Sequence, residues 1–257
     1  MKHPLDRTAR IAGLLYLVVA FVGPFTLLYV PGKIMVPNDP SATIANLLAH
    51  QDLYRASIAA GLIGATCFVA SILLLYRLLK DAGPTLAVAM AALILLQAPL
   101  GILSFSNDAA TLALARGSEF LAAFDQPQRD AITLLTLMVD KAGTVVSQVF
   151  WGLWLIPLGT LVWRSGFFPR WLGAWLIING ATYVALSVIG LWWPEHSRQV
   201  FTYATPAMFG ELALALWMLL RGVRPAGGER AATLKARGLT LIRPPFVNRQ
   251  SPPCPTV

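Results

Sequence analysis

Charge is what this chain has least of. Asp, Glu, Lys and Arg make up 12% of its 257 residues, where a soluble domain carries about 25%. That shortage excludes an ordinary water-soluble globule, which would have to hide several long apolar helices inside a small body. Histidine occurs only as His3, His50 and His196, none inside an apolar run, which argues against haem held between two helices by paired histidines. Cysteine occurs twice, as Cys67 within an apolar run and Cys254 near the end, so no disulfide framework is indicated. There is no HExxH, no GxSxG, no Walker loop and no dinucleotide-binding glycine loop. The sequence therefore points to no catalytic residue, no metal ligands and no cofactor.

Long hydrophobic runs are what it has instead, with 56% hydrophobic residues. Six runs, at about 11–29, 56–75, 86–105, 132–163, 172–193 and 204–220, predict an all-α integral membrane bundle of six transmembrane helices. Most approach the roughly 20 apolar residues that a helix needs to cross a bilayer. The first run follows Lys2, Arg7 and Arg10 like a secretory signal. Its length, and the want of a small-residue cleavage site near Pro24, make it a retained first helix.

The net charge of +8 is distributed for orientation. The N-terminus, loops 2 and 4 and the C-terminal tail hold 14 basic residues, the opposite side holds 5, and Lys141 completes the 20. Lys and Arg accumulate on the cytoplasmic side, so both termini are expected in the cytoplasm of a bacterium and the chain in its inner (plasma) membrane. The partner implied is the lipid bilayer, with room for another membrane protein or a second copy. Nucleic acid is not implied, because the basic residues lie in short loops and a tail rather than on one face. Residues 225–257, rich in Pro, Gly and Arg, read as a disordered basic cytoplasmic tail separate from the domain at 1–224.

Local signals refine the runs. Val36-Pro37-Asn38-Asp39-Pro40 marks a turn, and Ser41 after it caps a short external helix through Asn46 to His50. Pro127 should break the third loop before segment four. Pro99 and Pro157 should kink segments three and four, and Pro206 should unwind the outer end of segment six. Gly61 and Gly64, with Ala60 and Ala65, give segment two a small face for close packing.

Ionisable and polar groups at membrane depth are costly, which makes them the best functional pointers. Glu211 is ten residues from Arg221, hence roughly 15 Å into the membrane. A carboxyl there has to be protonated or hydrogen-bonded within the bundle, as helix glue or as an acid linked to protons or substrate. Asn179, Gln97 and Gln148 are its uncharged companions within the spans. Asp108, Asp140 and Lys141 form a second group toward the outer interface. Lys141 falls roughly 33 Å from the inner end of segment four, at a wet helix start. Asp140 and Lys141 are adjacent, about 100° apart on a helix, and do not face each other. The depths of Glu211 and Lys141 differ by roughly 18 Å, which argues against a salt bridge between them.

Several stretches resemble the bacterial membrane-protein family named domain of unknown function 4386. They are Ala9-Arg10-Ile11-Ala12-Gly13-Leu14-Leu15-Tyr16-Leu17, the loop from Pro37 to Asn46, and Phe150-Trp151-Gly152-Leu153. The turn from Arg164 through Pro169 to Gly173 and the helix from Gly210 to Trp217 are similar to it as well. The resemblance implies six helices and carries no chemistry with it. The function that follows is a non-enzymatic protein moving or sensing a small solute through its bundle. The alternatives are an accessory subunit of a membrane complex and, third, a membrane enzyme acting on lipid.

Overall fold

A computed structural model describes residues 4–117 and 119–223; the expected tail lies outside the described residues. The fold is all-α, with no strand among the described residues. Six helical stretches are long and apolar enough to cross a membrane. The first comprises α1 (Pro4–Pro24), a π-helical turn (Phe25–Tyr29) and α2 (Val30–Ile34). After a short α3 (Pro40–Ala49), α4 (Gln51–Leu79) and α5 (Pro84–Ala115) are the second and third. The fourth is split into α6 (Gln126–Leu153) and α7 (Leu155–Ser165), and α8 (Arg170–Trp192) is the fifth. The sixth is split into α9 (Ser197–Met208) and α10 (Gly210–Leu220).

These helices outrun the apolar segments, because polar residues at their ends continue the helix beyond hydrocarbon depth. Segment three extends through the third loop to Ala115, and segment four starts at Gln126, so Lys141 lies well inside a helix rather than at its start. Pro127 occupies the first turn of α6, where its missing N–H costs nothing. Asp125 caps that turn by accepting from the Gln128 N–H while Gln128 reaches back to the Asp125 N–H. At α3 the cap is Asp39, which accepts from the Ala42 N–H at 2.9 Å, and not Ser41. A carboxylate preceding Pro40 is the better acceptor for the free N–H groups of that turn.

Proline acts unevenly. The α5 helix runs unbroken through Pro99. Segment four breaks at Trp154, where Pro157 has no N–H to offer the Leu153 carbonyl. Pro206 leaves the N-terminal part of segment six helical, and the interruption falls at Phe209 instead.

Small residues set the closest helix crossings. A side-chain carbon at Gly159 would lie 2.6 Å from the Gly173 carbonyl oxygen, and one at Gly180 would lie 2.7 Å from that of Gly152. Thus α6 and α7 run antiparallel to α8 with glycine facing glycine at two levels, backbone on backbone. On α1, Gly13 meets the α10 backbone in the same way. Gly61 and Gly64 of α4 lie against the Phe105 ring and Val22. The fully buried core includes Leu75, Met90, Leu158, Leu172, Leu176 and Met218. Phe21, Ile63, Leu96 and Leu103 turn outward, the reverse of a soluble protein's surface. Trp163 and Trp171 at one end and Trp192 and Trp193 at the other are exposed at span ends, where indole suits the interface.

Candidate functional site

Glu211 lies in the first turn of α10, just past the break at Phe209. The Tyr16 hydroxyl of α1 donates to its Oε2 at 2.5 Å. Asn179 of α8 donates from Nδ2 to Oε1 at 3.3 Å and to the Met208 carbonyl, also at 3.3 Å. Tyr183, one turn along α8 from Asn179, brings its hydroxyl to the same carboxyl. Three spans thus converge on one side chain. Tyr16 is placed by α1, and Asn179 and Tyr183 by successive turns of α8.

The surroundings are aromatic. Tyr16 stacks on Phe68 of α4 at 5.9 Å and meets the edge of Trp154 at 6.2 Å, while Phe68 and Trp154 lie 5.3 Å apart. Trp151 sets its edge to Tyr183 at 5.9 Å. Tyr16 and Trp154 are each 2% exposed and Asn179 is fully buried. The Asn179 Oδ1 is also buried and has no hydrogen-bond partner among the described residues. Such an atom calls for a water or a ligand donor.

The α1–α10 contact is latched below this site. Arg10 donates from its guanidinium to the Leu219 carbonyl at 2.9 Å and to Asp6 at 3.0 Å, satisfying a terminal carbonyl of α10. Gly222, at φ +63°, turns the chain over this end against Asp6, a left-handed position where a larger residue would be strained.

A second polar region lies between α5 and α6, toward the α3 end. Tyr54 of α4 donates to Asp108 Oδ1 at 2.6 Å, and the Ser104 hydroxyl donates to Asp140. Asn107 reaches the Thr136 carbonyl at 2.9 Å, and the Thr111 and Thr136 hydroxyls are paired at 2.8 Å. Asp140 lies close enough to Asp108 for its charge to be felt there. Lys141 is exposed beside this group. Gln97 has its Oε1 buried and without a partner, and Gln148 makes no hydrogen bond among the described residues.

The structure therefore bonds Glu211 to Asn179 and brings Asp108 near Asp140, while no hydrogen bond among the described residues links Gln97, Gln148 or Lys141 to Glu211. Sequence reasoning missed Tyr16, Tyr183 and Tyr54, which read as packing or interface aromatics. It also missed Ser104, Thr111 and Thr136. Their signal is spacing: Ser104, Asp108 and Thr111 recur every three or four residues on one face of α5, and Thr136 stands four residues before Asp140 on α6. Among the described residues no three His, Cys, Asp or Glu side chains come together as metal ligands would.

Comparison with known proteins places the chain in a family without attaching an activity to it. An uncharacterized protein of Archaeoglobus fulgidus is 32% identical over 77 residues, a stretch covering 30% of this chain and 44% of the relative. The chain thus matches less than half the length of that relative. No solved structure matches. The pattern described as "Domain of unknown function (DUF4386)" matches residues 11–222, from the first span through the Gly222 turn, and the chain belongs to that family.

Proposed function

We propose that this protein moves a small solute through its helical bundle, with Glu211 as the group whose charge or hydrogen bonding changes during the cycle. One observation carries the reading. Glu211 stands at the interruption of the last span, and its partners belong to two other spans. A change of proton or partner at this carboxyl acts on α1, α8 and α10 together, and an interrupted helix is where such a change can be absorbed. A carboxyl in the first turn of α10 also lies at the favourable end of that helix's dipole.

In this reading the protein resides in the plasma membrane with both termini in the cytoplasm, on the side of the basic excess. Its necessary partner is the bilayer, and the basic residues 225–257 form a cytoplasmic tail outside the transport domain.

The test uses the full chain in liposomes loaded with a pH-sensitive dye, with a proton gradient or a membrane potential imposed. The parent chain should pass protons, alone or with an added small solute, and Glu211→Gln should lose at least ten-fold of that flux while remaining monodisperse. Equal flux in the variant, or none in the parent, removes the reading.

A further inference from the structure

Aromatic rings and arginines gather at the end of the bundle where α8 begins and α10 ends. Trp171 and Trp175 lie one turn apart on α8, with ring centres separated by 6.0 Å. Trp217 of α10 stands edge-on to Trp171 at 6.2 Å. The Arg221 guanidinium lies over the Trp217 ring, 5.7 Å from its centre. Arg170 directly precedes Trp171 in the chain, hence about 100° round the same turn of α8. A guanidinium on each helix therefore flanks the Trp171–Trp217 pair.

Three observations say what such a place would hold. The first is uncompensated charge. Arg170 and Arg221 are both exposed, and neither forms an ion pair among the described residues. Asp6, which lies against Gly222 beside Arg221, is already taken by Arg10 at 3.0 Å. Two positive charges with that acid spent favour a headgroup of net negative charge over a zwitterionic one. The second is geometry. A guanidinium stacked on an indole is held by the ring's face, and its planar fork of donors matches the oxygens of a phosphate. The third is what lies next to the charge. Trp171 is 53% exposed and Leu220 68%, and Leu216 and Ile178 carry the outward apolar surface on toward mid-span. A water-borne anion has no use for that strip, whereas an acyl chain does.

We propose that Arg170, Arg221 and the Trp171–Trp217 pair form a binding site for one anionic phospholipid of the surrounding bilayer. Its phosphate lies between the two guanidiniums, and an acyl chain runs along Leu220, Leu216 and Ile178. The loop joining the fifth and sixth spans is at their other end. The lipid thus ties together two span ends that no loop connects. The site is separate from Glu211 and does not depend on the function proposed above.

The test is native mass spectrometry of the full chain, released from micelles holding equal amounts of phosphatidylglycerol and phosphatidylcholine with the same acyl chains. The parent should retain one phosphatidylglycerol with a preference of about ten-fold or more. Arg170→Gln and Arg221→Gln should each cut that preference several-fold, and the double variant should bring it close to unity. Trp171→Leu removes an indole but no charge, and should weaken retention as well. Arg77 is the control, exposed near the end of α4, a helix that packs on α1 and α5; Arg77→Gln should leave the preference unchanged. Equal retention of the two lipids overturns the proposal. A loss in Arg77→Gln as large as in Arg221→Gln also overturns it, by making the preference a property of the whole basic side. Release of the lipid by inorganic phosphate does the same, because the site would then be one for a soluble anion. Both arginines are exposed, so their replacement spares the core, and either single variant decides if the other is not monodisperse.

Discussion

The Glu211 group and the α5–α6 seam both place carboxyls between spans, but they solve the problem of burial differently. Around Glu211, Tyr16, Asn179 and Tyr183 come from helices far apart in sequence, and a sheath of aromatic rings surrounds them. In the seam, most bonds join two consecutive helices as a ladder of hydroxyls and amides, with one end near the membrane surface. The first is a knot that depends on the tertiary fold. The second is a graded strip whose rungs can be lost one at a time. Convergence of helices makes a buried carboxyl costly to disturb, whereas proximity to water makes it cheap.

Replacing the knotted carboxyl should have the largest effect. Glu211→Leu leaves the Tyr16 and Tyr183 hydroxyls without their acceptor and the Asn179 amide with the Met208 carbonyl alone, at about 1–3 kcal/mol for each stranded donor. Thermal unfolding in detergent should show a clear fall in midpoint. A midpoint equal to that of the parent would mean that no knot exists.

A matched pair of tyrosines sharpens the contrast. Tyr16→Phe and Tyr54→Phe each remove one hydroxyl from a carboxyl, at 2.5 Å and 2.6 Å. The cost should be about 1–2 kcal/mol at Tyr16 and below about 1 kcal/mol at Tyr54, which is also buried but whose acceptor Asp108 is part-exposed, so that water can reach the carboxyl in its place. Chemical denaturation of both variants in the same detergent decides the order, and the reverse order would break the comparison.

Removing the latch beside the knot comes next. Arg10→Met frees the Leu219 carbonyl, with an expected loss of about 1 kcal/mol. Amide hydrogen exchange should rise in the last turn of α10 and leave α5 and α6 unchanged. Exchange spreading to the seam would show that the two regions act as one.

The smallest effect belongs to a rung. Thr136→Val deletes its pairing with Thr111 but keeps shape and β-branching, and should cost no more than about 1 kcal/mol. A loss as large as that of Glu211→Leu, read in the same unfolding assay, would make the seam a structural keystone rather than a strip.

The six spans were legible because apolar length is a one-dimensional property, visible without knowing any partner. Glu211 stood out for the same reason, as a lone acid in an apolar run. Tyr16 did not, since a tyrosine six residues after Arg10 reads as an interface anchor until the fold turns it inward to α10. The break at Trp154 was announced by Pro157, whereas Pro99 has the same local chemistry and α5 continues through it. The difference lies in how neighbouring helices hold each site, and a sequence does not display that. Asp108 and Asp140 were grouped by depth alone, and only the packing of α5 on α6 makes them neighbours. The glycines at 152, 159, 173 and 180 repeat by sevens in the chain. That repeat was open to discovery from the sequence as a packing stripe.

The Arg10 latch and the Gly13 crossing bind the first span to the last. The ribosome makes these two helices farthest apart in time. While α10 is still being synthesised, α1 already waits in the bilayer with Tyr16 lacking its acceptor and Asn179 only partly engaged. The knot can be tied only when the sixth span arrives. Completion of the bundle is thus registered at one carboxyl, and a chain stopped short of Glu211 keeps an open, polar-lined flank that membrane quality control can recognise.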